Sequence, residues 1–262
     1  KTGLSVYANV PLSPRQPALD QAIQARQGGT HLLAVADPAD LSVESLRSLR
    51  TALQFAMLHA PNRVIMLTGP TPGIGKSFIS ANLAAIMAAT GKRVLLIDAD
   101  MRKGHLHDVF GVKRSPGLSE LVANVQPLES VLRPQVVAGL DLIPGGTIPP
   151  NPAELLLSLS TGDWLQRLQD QYDLVLIDTP PVLAVSDACV LAQRAGTVLL
   201  VARAETTTLG ELQETAKRLT QAGGSVRGVV FNGLDFKRRY GYGYGYRYQR
   251  YDYGTPPKAP KA

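Results

Sequence analysis

The chain has 262 residues, 45% of them hydrophobic, which is enough for one large α/β domain or two small ones, and a formal net charge of +6. Seven of its 27 Lys/Arg and one of its 21 acids lie from Lys237 onward, leaving twenty of each in the first 236 residues, and a neutral body argues against nucleic acid as a partner. The single cysteine, Cys189, excludes an internal disulfide framework, and no apolar run approaches the roughly 18 to 20 residues of a membrane helix. The stretch is therefore expected in the cytoplasm, with room for a membrane anchor upstream of Lys1.

Residues 1–41 mix Pro, Gly and short apolar groups and read as an extended lead-in with one short strand from about His31 to Ala36. A helix is predicted from Ser42, which can cap it, to about Leu58, with Leu46, Leu49, Leu53 and Met57 at helical spacing. Glu44, Arg47 and Arg50 recur at i, i+3 and i+6 away from that leucine stripe, a pattern that alone describes a solvated face with intrahelical ion pairs.

After Pro61 the chain alternates. Strands are predicted at Arg63 to Thr68, Val94 to Ile97, Leu140 to Ile143, Leu174 to Ile177, Val198 to Ala202 and Val226 to Phe231. Helices are predicted at Ser77 to Thr90, Pro152 to Leu159, Trp164 to Tyr172, Asp187 to Ala195 and Leu209 to Ala222. Strands apolar on both faces, alternating with helices, imply a doubly wound α/β domain over residues 1–236. Its mostly parallel sheet would bind ligands at the C-terminal strand ends.

The turn after Thr68 is Gly69-Pro-Thr-Pro-Gly-Ile-Gly-Lys-Ser77. Between a strand and a helix, such a loop wraps phosphates with backbone N–H groups, Lys76 bridges phosphate oxygens and Ser77 can hold Mg²⁺. The spacing departs from the usual P-loop by one residue, putting Pro70 at the strict first-glycine position. Two later strands end in carboxylates, Asp98 with Asp100 close behind, and Asp178. A Mg²⁺–nucleotide complex gives acids there a purpose: Asp178 as outer partner of the ion, Asp98 and Asp100 to bind metal-bound water or orient a nucleophile. Capping of the next turn would explain any one of them alone.

Residues 237–262 form a basic tail in which Tyr240, Tyr242, Tyr244, Tyr246, Tyr248, Tyr251 and Tyr253 alternate with Gly and Arg. Such a segment has nothing to bury and is predicted to be flexible. At about 3.3 Å per residue it reaches roughly 55 Å from Lys237 to Tyr253, enough to span a neighbouring subunit. Taken alone it also admits an RNA-binding Arg/Gly/Tyr tail or a stacking aggregate.

The loop GPTPGIGKS, the sequence LLIDADMRKG with Asp98 and Asp100, LVLIDTPP with Asp178, IPGGTIPPNPAELL and the terminal tyrosines together resemble the bacterial tyrosine kinases of capsule and exopolysaccharide export. Partition and septum-positioning ATPases share the loop and the acids, but carry a lysine where this chain has Thr71, five residues before Lys76. They supply the rival reading, an ATPase switch without phosphate transfer to protein.

The resemblance implies ATP and Mg²⁺ as cofactors. Thr71, Gly73, Ile74, Gly75, Lys76, Ser77 and Phe78 would bind the nucleotide, with Asn232 placed to read the adenine edge or merely to cap a loop. Ser77, Asp98 and Asp178 would hold the metal. Lys76, Asp98, Asp100 and Asp178 would be catalytic, Asp98 being the expected base for a tyrosine hydroxyl whose pKa near 10 leaves it mostly neutral.

Further implications are a ring-like homo-oligomer contacting through Glu44, Arg47 and Arg50, and the tail tyrosines as phosphoacceptors between subunits. A membrane-embedded activator segment, a phosphotyrosine phosphatase and an inner-membrane location also follow from it. His105 stands where some relatives carry a regulatory tyrosine, so that activation step is absent in this form. Because the net charge sits in the tail, it is expected to dock at acidic active sites of neighbours until three or four phosphates, each adding about −1.5 to −2, release it. Tyr7 and Tyr172 read as structural, and His107 as a helix-surface residue.

Overall fold

Residues 3–157 and 160–235 are described by a computed structural model. The chain runs β1 (Ser5–Pro11), α1 (Gln16–Gln24), α2 (Leu33–Ala36) and α3 (Leu41–Ala56), then β2 (Val64–Thr68), α4 (Lys76–Ala88) and β3 (Val94–Asp98). Three short helices follow, α5 (Leu106–Val109), α6 (Leu118–Val122) and α7 (Leu128–Val131), and then the strands β4 (Arg133–Val137) and β5 (Leu140–Ile143). The last part holds α8 (Pro152–Leu157), α9 (Ser160–Gln171), β6 (Leu174–Asp178), α10 (Asp187–Ala192), β7 (Thr197–Arg203), α11 (Leu209–Gln221) and β8 (Val226–Leu234).

The strands make one 8-stranded sheet in the order β1-β8-β7-β2-β6-β3-β5-β4, parallel except for the antiparallel β4–β5 pair at one edge. The central strands are apolar on both faces, as predicted, because each face carries its own helical layer. Ile65, Leu67, Leu96, Leu176 and Val201 join the core under α3 and α4. Val64, Met66, Leu95, Ile97, Ile177 and Leu200 join the core on the other face, with Leu165, Leu191 and Leu212 of α9, α10 and α11. Truncating one of these side chains to Ala costs about 2–5 kcal/mol.

Three expectations are corrected. Residues 3–41 are not an extended lead-in: β1 is an edge strand of the main sheet, and α1 and α2 follow it. The strand was hard to see because only Ala8, Val10 and Pro11 of its seven residues are buried, which blurs the period-2 alternation. The apolar run at His31 to Ala36 forms a single helical turn, Leu33–Ala36, not a strand; Ala34 N donates to Asn82 Oδ1 of α4 at 2.8 Å, a bond no sheet partner supplies. And α3 is capped by Asp40, whose Oδ1 accepts from Ser42 N at 2.7 Å, while the Ser42 hydroxyl donates instead to Pro11 O at 3.0 Å and ties the helix to β1.

Candidate functional site

The loop after β2 turns on two glycines at positive φ, Gly73 at 74° and Gly75 at 92°, where a side chain would be strained. Gly75 is the N-cap of α4, so the loop's N–H groups and the helix's positive end face the same space. The extra residue in the loop has a packing explanation. Ile74 is fully buried, and a Cβ on Gly69 would meet both the Ile74 side chain and the Val201 carbonyl. Gly69 thus serves the close approach of loop to β7, and the phosphate-binding turn begins at Gly73.

Asn232 in β8 pins this turn from behind: its Nδ2 donates to Ile74 O at 2.9 Å, and a Cβ on Gly75 would collide with the same amide. One of its two amide hydrogens is thus used on the loop, while the side chain also lines the cleft. Asn232→Ala leaves the buried Ile74 carbonyl without its donor, costing about 1–3 kcal/mol. The expected result is a lowered Tm and roughly tenfold weaker ADP binding by calorimetry, and unchanged values would contradict the clamp.

Lys76 is 8% exposed; its Nζ donates to Thr71 O at 3.3 Å, and burial lowers its pKa against the opposing pull of Asp178 and Asp100. The Ser77 hydroxyl donates to Asp178 Oδ2 at 2.6 Å, while Ser80 Oγ lies 2.9 Å from Asp178 Oδ1 and 3.0 Å from Lys76 O. Among the described residues no three His, Cys, Asp or Glu side chains form a ready metal cage. A hydroxyl and one carboxylate are instead the sparse protein donor set that Mg²⁺ takes when phosphates and water complete its shell. Ser77 and Asp178 fit that ion.

Asp98 and Asp178 are register partners on adjacent strands, both buried. Burial raises the pKa of each, and their mutual repulsion raises Asp98 further, while the Ser77 and Ser80 hydroxyls and Lys76 restrain Asp178. Asp98 does not line the cleft. Its Oδ1 accepts from Asp100 N at 3.2 Å and its Oδ2 from Leu106 N at 3.1 Å, and its carboxylate fills the place where Gly104 would carry a Cβ. Asp100 is the acid that faces the cleft, its Oδ1 accepting from Lys103 N at 2.9 Å. Asp98, expected to meet the acceptor hydroxyl, is enclosed in the nucleotide-free protein and holds the turn that carries Asp100.

The cleft around these groups has a volume of about 580 Å³. Besides the loop it is lined by Arg102, Lys103, His105 and Arg203, by Pro180 and Pro181 after β6, and by Pro11, Leu12, Gln16 and Asp20 from β1 and α1. Phe78 lines it too. Its lining cations, Lys76, Arg102, Lys103 and Arg203, outnumber its lining acids, Asp20 and Asp100, but Arg102 is paired with Asp187 and the buried Asp178 stands behind Ser77, so the cleft is mixed in charge. Arg102 is anchored by a two-pronged pair to the wholly buried Asp187 of α10, Nε–Oδ2 at 3.1 Å and Nη2–Oδ1 at 3.2 Å. The sequence reading missed Arg102, Arg203 and the wall from β1 and α1; a partner 85 residues away leaves no local pattern.

Glu44 and Arg47 sit on the outer face of α3 as an ion pair of 2.9 Å, and Arg50 is half-buried one turn on. Tyr172 is structural: its hydroxyl donates to Asp141 Oδ2 at 2.6 Å, which with burial pushes its pKa up. Tyr7 packs under Gly228. His107 is half-buried in α5, with Nε2 3.4 Å from Asp108 Oδ1, so it is less a surface residue than expected. Tyr240, Tyr242, Tyr244, Tyr246, Tyr248, Tyr251 and Tyr253 lie outside the described residues, as do Ser158 and Leu159 at the predicted end of α8.

The AAA domain family profile matches residues 62–225. The tyrosine-protein-kinase-like EpsB of Ralstonia solanacearum is 58% identical over 268 residues, covering 100% of this chain and 36% of that protein, so the chain spans about a third of such curated relatives. The kinase domain of the Escherichia coli tyrosine kinase ETK superposes with a TM-score of 0.83 at 43% identity, covering 93% of this chain and 96% of that one. The BceF tyrosine kinase domain superposes with a TM-score of 0.82 at 51% identity, covering 89% and 95%. Among the described residues no helix is long and apolar enough to cross a membrane.

Proposed function

This chain belongs to the family of bacterial tyrosine-kinase domains, and on that premise we propose that it transfers the γ-phosphoryl of Mg·ATP to tyrosines of its own C-terminal tail, between subunits of a ring. The observation that carries this reading is the convergence of Lys76, Ser77 and Asp100 on one cleft, with Asp178 buried behind Ser77 and bound to its hydroxyl, in a chain whose tail carries seven closely spaced tyrosines.

Phosphoryl transfer asks for positioning and charge neutralisation more than covalent chemistry. The N–H groups of the Gly73–Ser77 turn and the α4 N-terminus hold the phosphate chain, and Lys76 Nζ, already within the turn, contacts phosphate oxygens. Ser77 and Asp178 would hold Mg²⁺, which would supply charge neutralisation at the phosphate oxygens. Asp100 takes the proton of the incoming tyrosine hydroxyl. Asp98 shapes the turn that carries Asp100 by accepting its N–H.

Bound nucleotide adds negative charge to a cleft of mixed charge and so favours docking of a tail of charge +6, ATP binding first and the tail second. Added phosphates then cancel the attraction and release the tail. From the motifs it shares with the tyrosine kinases of capsule and exopolysaccharide export, we place it in that process as the cytoplasmic part of an inner-membrane protein with a membrane-embedded activator and an opposing phosphatase.

A mixing experiment tests transfer between subunits. Chains inactivated by Lys76→Met but retaining the tail are incubated with Mg·ATP and active chains ending at Phe236. Phosphate is expected on the tailed, inactive chains, and Arg47→Glu with Arg50→Glu in both partners lowers its rate at least about tenfold by breaking the α3 contact. Phosphate only within active tailed chains would contradict transfer between subunits. An unchanged rate in the double variant would remove α3 from the contact.

A further inference from the structure

A second concavity lies one strand away from Asp100. β3 runs into the turn that carries Asp100, and β5, its parallel neighbour with Ile143 opposite Ile97, runs into the loop 144–151. These two connections touch. A Cβ on Gly145 would lie 3.5 Å from Asp100 O, and the Arg114 guanidinium donates to both Met101 O and Gly146 O at 2.9 Å. Beyond Gly146, this loop borders a groove of about 490 Å³ with α6 and α8.

The groove combines apolar surface with acidic charge. Val125, Ile148, Pro149 and Pro150 line it, and Val125 and Ile148 are 67% and 58% exposed, large apolar side chains with little cover. Among the described residues its charged lining is Glu120 and Glu154, with no cation beside them, and its neutral polar lining is Ser119, Thr147 and Asn151. Glu120 accepts from Gly117 N at 2.7 Å, from Thr147 N at 3.1 Å and from the Ser115 and Ser119 hydroxyls at 3.0 Å. It is thus fixed as a carboxylate and offers charge rather than a free acceptor. Glu154, in the first turn of α8, is exposed.

The chain itself carries a segment of matching chemistry. From Lys237 onward it has six more cations than acids, and a tyrosine stands at every second or third position from Tyr240 to Tyr253. A tyrosine ring packs on proline and aliphatic surface while its hydroxyl stays wet, and arginines are drawn to fixed acids. Fully extended, Tyr240 to Tyr253 would span roughly 43 Å, so one part can occupy the groove while another tyrosine reaches Asp100.

We propose that this groove docks the tyrosine-rich tail, its rings against Ile148, Pro149 and Pro150 and its arginines toward Glu120 and Glu154, while another tyrosine of the same tail stands at Asp100. This docking rests on the tail-kinase function proposed above and adds to it a substrate-holding surface outside the cleft. A phosphotyrosine beside two acids is repelled, so a finished segment leaves the groove.

The full chain with Tyr240 or Tyr253 replaced by the photoreactive benzoylphenylalanine is irradiated in the presence of ADP, and the cross-links are mapped by mass spectrometry. No phosphate transfer is required. At least one of the two chains is expected to label α6 or residues 147–155, and labels confined to other surfaces would overturn the assignment. A second arm uses the full chain, its own tail already phosphorylated, with a peptide of residues 237–254 as substrate. Ile148→Lys with Glu154→Lys is expected to raise the peptide's KM about tenfold with kcat within about twofold, while Ile148→Leu with Glu154→Asp keeps both.

An unchanged KM in the lysine variant would overturn the docking, and loss of self-association in that variant would then make the groove a contact between copies. A lower kcat at unchanged KM would overturn it too, because the groove would be acting on the Asp100 turn rather than holding the tail. Labels in the groove of a chain that transfers no phosphate would contradict the kinase function and leave the docking in place. Phosphate transfer with labels only elsewhere does the reverse.

Discussion

Lys76→Met is expected to lower tail phosphorylation about a thousand-fold while leaving the fold intact. The side chain is 8% exposed, so its stem already packs as an apolar residue and Met fills nearly the same volume. Its amine is held in the phosphate-binding turn against Thr71 O, and burial has already lowered its pKa, so removing the charge costs the empty protein little. What is lost is the cation held within the phosphate-binding turn, and groups of that kind are worth about 2.7–4 kcal/mol each. Phosphotyrosine formation over time, with thermal unfolding as the control, checks both halves. A variant that unfolds, or one that keeps a tenth of its rate, would contradict the role given to Lys76.

Asp178→Asn should separate stability from activity in opposite directions. Asp178 and Asp98 are buried register partners whose pKa values lie above the ordinary carboxylate range because burial penalises the ionised forms. The folded protein therefore holds protons that the unfolded chain releases. The contribution of these two acids to stability without nucleotide is most favourable below the unfolded value near 3.9 and declines as pH rises from there toward their raised folded values. Asparagine removes one of the two buried charges, and its amide still exchanges hydrogen bonds with the Ser77 and Ser80 hydroxyls.

The Tm of the nucleotide-free variant at neutral pH is expected to exceed that of the parent, with a flatter decline between acid and neutral pH. Transfer falls about 10²–10³-fold because Ser77 alone cannot hold the metal. A lower Tm in the variant would show that the charge is better compensated in the folded state than its surroundings indicate.

How far such features can be read without coordinates depends on whether their cause is local. The β2–α4 unit with Gly73 to Ser77, and strands buried on both faces, announce themselves because the loop and the period are contiguous in sequence. The first forty residues did not: β1 is an edge strand with three buried residues, and its role depends on pairing with β8, more than two hundred residues later. Asp98 illustrates a subtler limit. Its place at a strand end pointed to the active site, but the backbone turn at Gly104 encloses it and gives the cleft to Asp100. Asn232 was read as facing a base or capping a loop; its bond to Ile74 O ties it to the loop, and it lines the cleft as well. The cations in the cleft's lining include Arg102, Lys103 and Arg203, drawn together from two distant turns, and no composition count separates them from the balanced body.

On the proposed function, this cleft phosphorylates this chain's own tail. The most direct measurement is the intact mass of the dephosphorylated chain after incubation with Mg·ATP, beside a chain ending at Phe236. The account predicts a ladder of phosphate additions, up to one for each of the seven tail tyrosines, on the full chain and none on the truncated one. Equal additions on both, or none on either while ATP is consumed, would contradict it.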